Sequence, residues 1–433
     1  MPRLDRRSFL KFAGLTGLGV AAPLVARRAL ADTPPYPGPY FVLIHAGGGW
    51  DPIYLCDPKP MGPLNRIYGG PASAGNIAYA PIAVDAAALG LDPSAQPYLM
   101  SNQAFFEKYG PRLTVMNGVD TSTNNHDGGT RASWSGRLEE GYPSFGAITA
   151  AIRSPGNPLA YISSGGYDVT DGLVPLTRMG SLDALRKVAY PDILYPDDPE
   201  SGVYLPKERM DRIRAAQRER LMAMQGSQRL PRGQAAMSEL FLAREDDNAL
   251  AKLVFPGDLV ELNAGYQLSD LQYMMQQTQL ALAAFQAGLA VAVNLNLGGF
   301  DTHANHDRDQ VAALAKLLYG VDFLMSEADK IGIGGQLVVV IASDFARGPG
   351  YNADNEYGGK DHWPVTSAMA MGPGIAGDRV VGATDDAQQA LPWQGSVITP
   401  SHVHRSLRTL AGIDSDEITQ RYPLAGDDLP IFG

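Results

Sequence analysis

The stretch LAVAVNLNLGGFDTHANHD, Leu289–Asp307, decides how the chain is read. An apolar run ends at Gly298-Gly299, and Asp301 and His303 follow two residues apart. Beyond it, Leu314, Leu317, Leu318, Val321, Leu324, Met325 and Ala328 recur at steps of three and four. That spacing is the buried stripe of an amphipathic helix. The segment therefore reads as a buried strand, a polar turn at its carboxyl end and a long helix, the unit of an α/β fold.

The same form recurs on either side. YFVLIHAGGGWD (40–51), RLTVMNGVDTSTNNHDGG (112–129), NPLAYISSGG (157–166) and GQLVVVIASDFARG (335–348) each run from an apolar stretch into glycine, Asp, Asn or His. VTSAMAMGPGI (365–375) reads as one more strand. LSDLQYMMQQTQLALAAFQAG (268–288) has helical apolar spacing and stops at glycine. TPSHVHRSLRTLAGI (399–413) opens with Thr-Pro, a helix start. Apolar strands without polar alternation belong to a sheet covered on both faces. The expected fold class is α/β, a doubly wound domain with a central, mostly parallel sheet flanked by helices. In such sheets ligands bind beyond the carboxyl ends of the strands. Asp51, His126, Asp301, His303 and Asp344 all fall at those ends.

Residues 1–31 stand apart. Arg6-Arg7 followed by Ser8-Phe9-Leu10-Lys11, a Gly/Ala-rich apolar stretch and Ala29-Leu30-Ala31 form the pattern of a twin-arginine signal peptide with its cleavage site. The expectation is a periplasmic protein, exported already folded. Residues 32–39 are a Pro-rich linker, and 40–433 form a single domain in which 196–290 is mainly helical. No later stretch reaches the roughly 18 apolar residues a membrane span needs, so no transmembrane segment is expected in the mature chain. The first 31 residues carry six Lys/Arg and one Asp, so their loss takes the net charge from −11 to −16. A surface that acidic excludes nucleic acid as a partner. The one cysteine, Cys56, has no partner for an internal disulfide.

Asp301 and His303, two apart in an extended segment, present both side chains on one face. Carboxylate oxygen with imidazole nitrogen suits zinc, manganese or iron. The expected cofactor is a divalent metal, zinc first, with manganese, calcium or magnesium as the alternatives. His362, in GKDHWP, is expected to complete the site, and Asp51, Asp344 and Asp361 to supply a second ion or an outer shell. Arg347 lies three residues past Asp344; it is either an anion clamp or a salt-bridge partner. His306 is expected at the start of the long helix, capping or solvated. His45 reads as a buried histidine with a hydrogen-bond partner, and His402 and His404 as surface or packing residues of the last helix. CDPKP (56–60) reads as a proline turn, and the chain has no G-x-S-x-G, P-loop or G-x-G-x-x-G.

Together, GGFDTHANH, VVVIASDFARGPGYN, GKDHWP and RVVGATD, with WDPIYLCDPKP and DTSTNNHDGGTRASWSGR earlier, resemble the family called domain of unknown function 1501, from about Tyr40 to Asp414. That family is similar to the alkaline phosphatase and sulfatase superfamily. The resemblance implies two metal ions at the strand ends that hold a phosphate or sulfate ester, with a nucleophile between them. It implies Asp51 as the first-strand metal carboxylate, Asp301, His303 and His362 as the first site, and Asp344 in the second. The chain departs from the superfamily at Phe345, where a histidine follows the second-site Asp, and at Asn125, where a serine often stands. The nucleophile is then sought among Thr121, Ser122, Thr123 and Thr130, Thr123 foremost, and His126 is the replacement for the missing histidine. Two functions follow as expectations. One is a metal-dependent hydrolase of small phosphate or sulfate esters. The other is a non-catalytic metal-binding or envelope-assembly protein on the same scaffold.

Overall fold

The computed structural model describes residues 36–155, 157, 159–178, 190, 192–195, 200–230, 233, 237, 259–263 and 266–433. The export signal expected over 1–31 and the first residues of the linker lie outside the described residues, as does part of the 196–290 segment.

Ten strands and seven helices position the site. They are, in chain order, β1 (Tyr40–Ala46), α1 (Asn102–Tyr109), β2 (Leu113–Asp120), α2 (His126–Ser135), α3 (Phe145–Arg153), β3 (Tyr161–Ser163), β4 (Leu176–Arg178), α4 (Lys207–Ser227), α5 (Ser269–Gln286), β5 (Ala292–Leu297), α6 (His306–Lys330), β6 (Leu337–Ser343), β7 (Ala346–Tyr351), β8 (Lys360–Trp363), β9 (Val365–Met371), β10 (Arg379–Val381) and α7 (Pro400–Leu410). Eight strands make one sheet in the order β10-β2-β9-β6-β1-β5-β3-β4. β1 is parallel to both β5 and β6. β9 alone in that sheet runs antiparallel, between β2 and β6. The doubly wound, mostly parallel sheet expected from the sequence is what forms, with one antiparallel member.

The uninterrupted apolar strands explain the layering. In β1, Tyr40, Val42, Ile44 and Ala46 pack into one core with Phe105 of α1, Phe285 of α5 and Leu317 of α6. Phe41 and Leu43 point the other way, onto Trp134 of α2, Phe145 of α3 and Leu407 of α7. A strand side chain alternates faces at each residue, so an all-apolar β1 requires helices on both sides. The helical stripe read around Leu314–Ala328 is the buried face of α6. Of the 196–290 segment, α4 and α5 are described helices. Among the described residues no helix is long and apolar enough to cross a membrane.

The carboxyl ends of β1, β2, β5 and β6 open on one edge of the sheet. β7 and β8 form an antiparallel hairpin that lies over that edge. The hairpin was not legible in the sequence, and it carries Arg347 and His362. Its pairing slips between Lys360 and His362, a β-bulge. Lys360 pairs with Tyr351 and His362 with Arg347, so the register shifts by two and the extra residues lie on β7.

A candidate metal centre at the strand ends

Three residues from separate elements converge. His126 opens α2, Asp301 follows β5 and His362 lies in β8, and their ligand atoms all lie within 4.8 Å of one another. Asp301 Oδ2 is 3.6 Å from His126 Nε2, and its Oδ1 is 3.2 Å from His362 Nε2. His303 joins them: its Nε2 is 3.1 Å from Asp301 Oδ1 and 2.9 Å from His362 Nε2. Ligands about 2.0–2.1 Å from a tetrahedral zinc stand roughly 3.3 Å apart, so these separations fit one ion.

The outer contacts point the right nitrogens inward. His362 Nδ1 donates to the Asn124 carbonyl at 2.7 Å, which leaves Nε2 as a lone pair. His126 Nδ1 donates to Asp344 Oδ2 at 2.5 Å, leaving its Nε2 toward Asp301. His303 Nδ1 faces Asp361 Oδ1 at 3.3 Å. Imidazoles fixed through their second nitrogen by a carboxylate or carbonyl are what metal sites use to orient ligands. Two imidazole nitrogens facing each other at 2.9 Å repel unless a proton or a cation is shared, so the donor set fits a divalent metal.

Asp344 therefore stands one step behind the His126–Asp301–His362 cluster. Its Oδ1 accepts from Gly48 N (2.9 Å) and Gly49 N (3.1 Å), its Oδ2 holds His126, and His45 Nε2 lies 3.8 Å away. Burial works against its charge, but His45, His126 and the Gly48 N–H outweigh that and hold its carboxyl below the usual range. His45 is the buried, partnered histidine expected, since Trp134 Nε1 donates to its Nδ1 at 2.8 Å. The Gly47–Gly49 run makes the arrangement sterically possible. Gly48 (φ +121°) passes where a Cβ would stand 2.5 Å from Asp301 N, and at Gly49 (φ +85°) a Cβ would stand 2.5 Å from the Phe345 ring. Phe345, where the resemblance implies histidine, is an apolar floor under two imidazoles, 4.8 Å from the His126 ring and 4.4 Å from the His362 ring.

Arg347 takes the salt-bridge role, and not the anion clamp. It is wholly buried, and Nη2 bonds Asp301 Oδ1 at 2.7 Å. Nε donates to Gly49 O (2.9 Å), Nη1 to Lys360 O (3.1 Å), and Nη2 to Gly48 O. The fork is spent on the protein itself. Partial burial of Asp301 raises its pKa, but Arg347 and then His362 and His303 more than offset this and keep it low.

Asp51 is not brought to this group. Its Oδ2 accepts from Lys360 Nζ (2.7 Å) and His306 Nε2 (2.9 Å), its Oδ1 from Ile53 N (2.9 Å), and all three side chains are fully buried. Burial raises its pKa, but Lys360 and His306 bring it below the ordinary value. His306 does begin α6, as expected, but it is buried rather than solvated, with Nδ1 2.7 Å from the Thr302 hydroxyl. Thr123 keeps local company: its hydroxyl accepts from Asn125 N at 3.2 Å. Of the last-helix histidines, His402 forms a capping box with Thr399, and His404 packs beneath Ser133; both are buried, so packing and not surface describes them. Lys360 is the residue that sequence reasoning missed. Its only signal was adjacency to Asp361-His362.

A family model described as protein of unknown function (DUF1501) matches residues 205–431. No curated protein matches the chain. Among solved structures, the chain is similar to alkaline phosphatase from the Antarctic bacterium TAB5, at 11% identity over 87% of this chain and 99% of that one, with a TM-score of 0.36. It is also similar to a 2-O GAG sulfatase, at 12% identity over 88% of this chain and 72% of that one, TM-score 0.31. A third is Ps i-CgsB in complex with k-i-k-neocarrahexaose, at 9% identity over 90% and 75%, TM-score 0.39. Overlap at that level fixes no residue-to-residue correspondence, so the site rests on its own geometry.

Proposed function

The chain belongs to the family described as protein of unknown function DUF1501, and from its own site we propose an exported, metal-dependent hydrolase of small phosphate or sulfate esters. In this reading the twin-arginine signal delivers the folded protein to the periplasm. His126, Asp301, His303 and His362 hold a divalent ion, zinc first among the candidates. A bound ion supplies positive charge where the ester's oxygens gain negative charge in the transition state.

The observation that carries the reading is the convergence of His126, Asp301 and His362 within one ion's reach, with the other nitrogens of His126 and His362 already hydrogen-bonded. The chain's own residues do the positioning. Asp344 and the Asn124 carbonyl orient two imidazoles, Arg347 fixes Asp301, and Phe345 keeps water from the inner side. The outer side is open: the side chains of Asp301 and His303 are 50% and 47% exposed, room for a small solute to approach.

A second reading, a non-catalytic metal-binding or assembly protein, is favoured by one specific observation. The Arg347 fork and the Thr123 hydroxyl are both engaged internally. The two readings separate on metal content and turnover. Protein prepared without chelator is expected to carry metal, and His362→Ala to lose at least tenfold in affinity. Metal with turnover of an aryl phosphate or aryl sulfate supports the hydrolase. Metal without turnover supports the second reading. An absence of metal in the wild type refutes both.

A further inference from the structure

We infer that Lys360 is a built-in cation that closes the Asp51 position to metal, so that the site takes a single divalent ion. This rests on the metal reading above and goes beyond it in assigning the count and the residue that sets it.

The carboxylates of Asp51 and Asp301 stand at neighbouring strand ends, and each already has its own cation. Asp301 has Arg347 at 2.7 Å, and Asp51 has Lys360 at 2.7 Å. The two pairs differ in what else is open. Asp301 is half exposed and faces three imidazoles. Asp51 is fully buried and its acceptors are used by Lys360, His306 and the Ile53 N–H.

An ion at Asp51 would have to take the place of the Lys360 ammonium. That group is held on four sides: Asp51 Oδ2, the Leu64 carbonyl at 2.8 Å, and the ring faces of Tyr54 and Tyr351 at 5.1 and 4.9 Å. Two oxygens and two aromatic faces suit a monovalent ammonium. While the ammonium is in place a divalent ion finds no vacant donor there; with it gone, Asp51, the Leu64 carbonyl and waters entering the vacated space can supply them. His306 offers none. Its Nε2–H is directed at Asp51 and its Nδ1 accepts from the Thr302 hydroxyl. Lys360 and His362 lie two apart in β8, and the register with β7 shifts between them; the ammonium goes inward to Asp51 and the imidazole to the open group.

The test counts zinc. Metal-free full-length chain is reloaded with zinc, desalted and analysed for zinc per mole of chain, and melting is followed against added zinc. Wild type is expected to hold one zinc. Lys360→Ala vacates the ammonium's position and frees the Asp51 charge, and is expected to hold two, with a second stabilising step in the melting titration. Lys360→His keeps a nitrogen there and is expected to behave alike. Two zinc ions in the wild type overturn this inference alone, leaving the metal reading standing. None in the wild type overturns both. One zinc in a folded Lys360→Ala or Lys360→His also overturns it, because Lys360 then does not set the count. If neither variant folds, the wild-type count decides.

Discussion

Arg347 and Lys360 sit back to back, the guanidinium of one donating to the backbone carbonyl of the other, yet they serve different carboxylates. Replacing Arg347 by Met strips donors from the Gly48, Gly49 and Lys360 carbonyls and leaves Asp301 without its cation. Arg347 is buried but Asp301 is half exposed, so solvent screens the pair; the loss comes mainly from the buried carbonyls left without donors and is about 1–3 kcal/mol. Urea unfolding in the presence of EDTA, where no metal contributes, should show a loss of that size. Arg347→Lys should recover little of it, because one ammonium cannot span the fork's acceptors. The D-x-H of Asp301 and His303 was legible because two-residue spacing at a strand end is a local property. Whether Asp51 faces an ion or an ammonium was not. That depends on a two-residue register shift in a hairpin whose partner strand, β7, lies outside GKDHWP, and no pattern within GKDHWP records it.

At the scale of elements, α2 controls the site through its approach to β6. Gly129 is buried in α2, and a Cβ there would stand 2.3 Å from the Asp344 carbonyl oxygen. Backbone cannot yield as a side-chain tip does, so Gly129→Ala should push the helix, and His126 at its first turn, away from Asp301. Competition with a chelator is expected to show zinc affinity reduced at least tenfold, with far-UV circular dichroism unchanged. The contact of α2 with α7 carries a pH dependence. His404 donates to the Ser133 carbonyl at 2.9 Å, and burial pushes its pKa down to about 4. The unfolded chain protonates near pH 6.5 and the folded chain only near 4, so between these values the unfolded state binds more protons. Stability therefore rises with pH across that window and is lost as pH falls through it, by about 1.4 kcal/mol per unit. Metal-free protein should show at least this slope in its urea midpoint from pH 6.5 to 4, and His404→Gln should reduce the slope by about that much, the buried His45 and His306 keeping a share of it. The helices themselves were legible from apolar spacing. Their closeness was not, because it depends on which glycines meet which backbone.

For the molecule as a whole, the N-terminal pattern makes its own prediction. Arg6→Lys with Arg7→Lys should leave folded protein in the cytoplasm, read by cell fractionation and immunoblot, with the purified chain's zinc content unchanged. The doubly wound class was legible because every strand that forms the centre is apolar on both faces. The antiparallel β9 was not: an apolar run states that a strand is buried and is silent about its direction. The position of β1 has one more consequence. It is the first strand of the sheet to be synthesised and it lies in the middle, with Phe41 opposite Ala292 and Tyr40 opposite Leu337. While the ribosome is still making the first half of the chain, neither neighbour of β1 exists. The centre of the sheet, and with it the meeting of Asp301, His303 and His362, waits for the later strands, so closing it means joining segments far apart in sequence. Under the metal reading, capture by all four ligands can come only once His362 has left the ribosome, and so late in the life of each molecule.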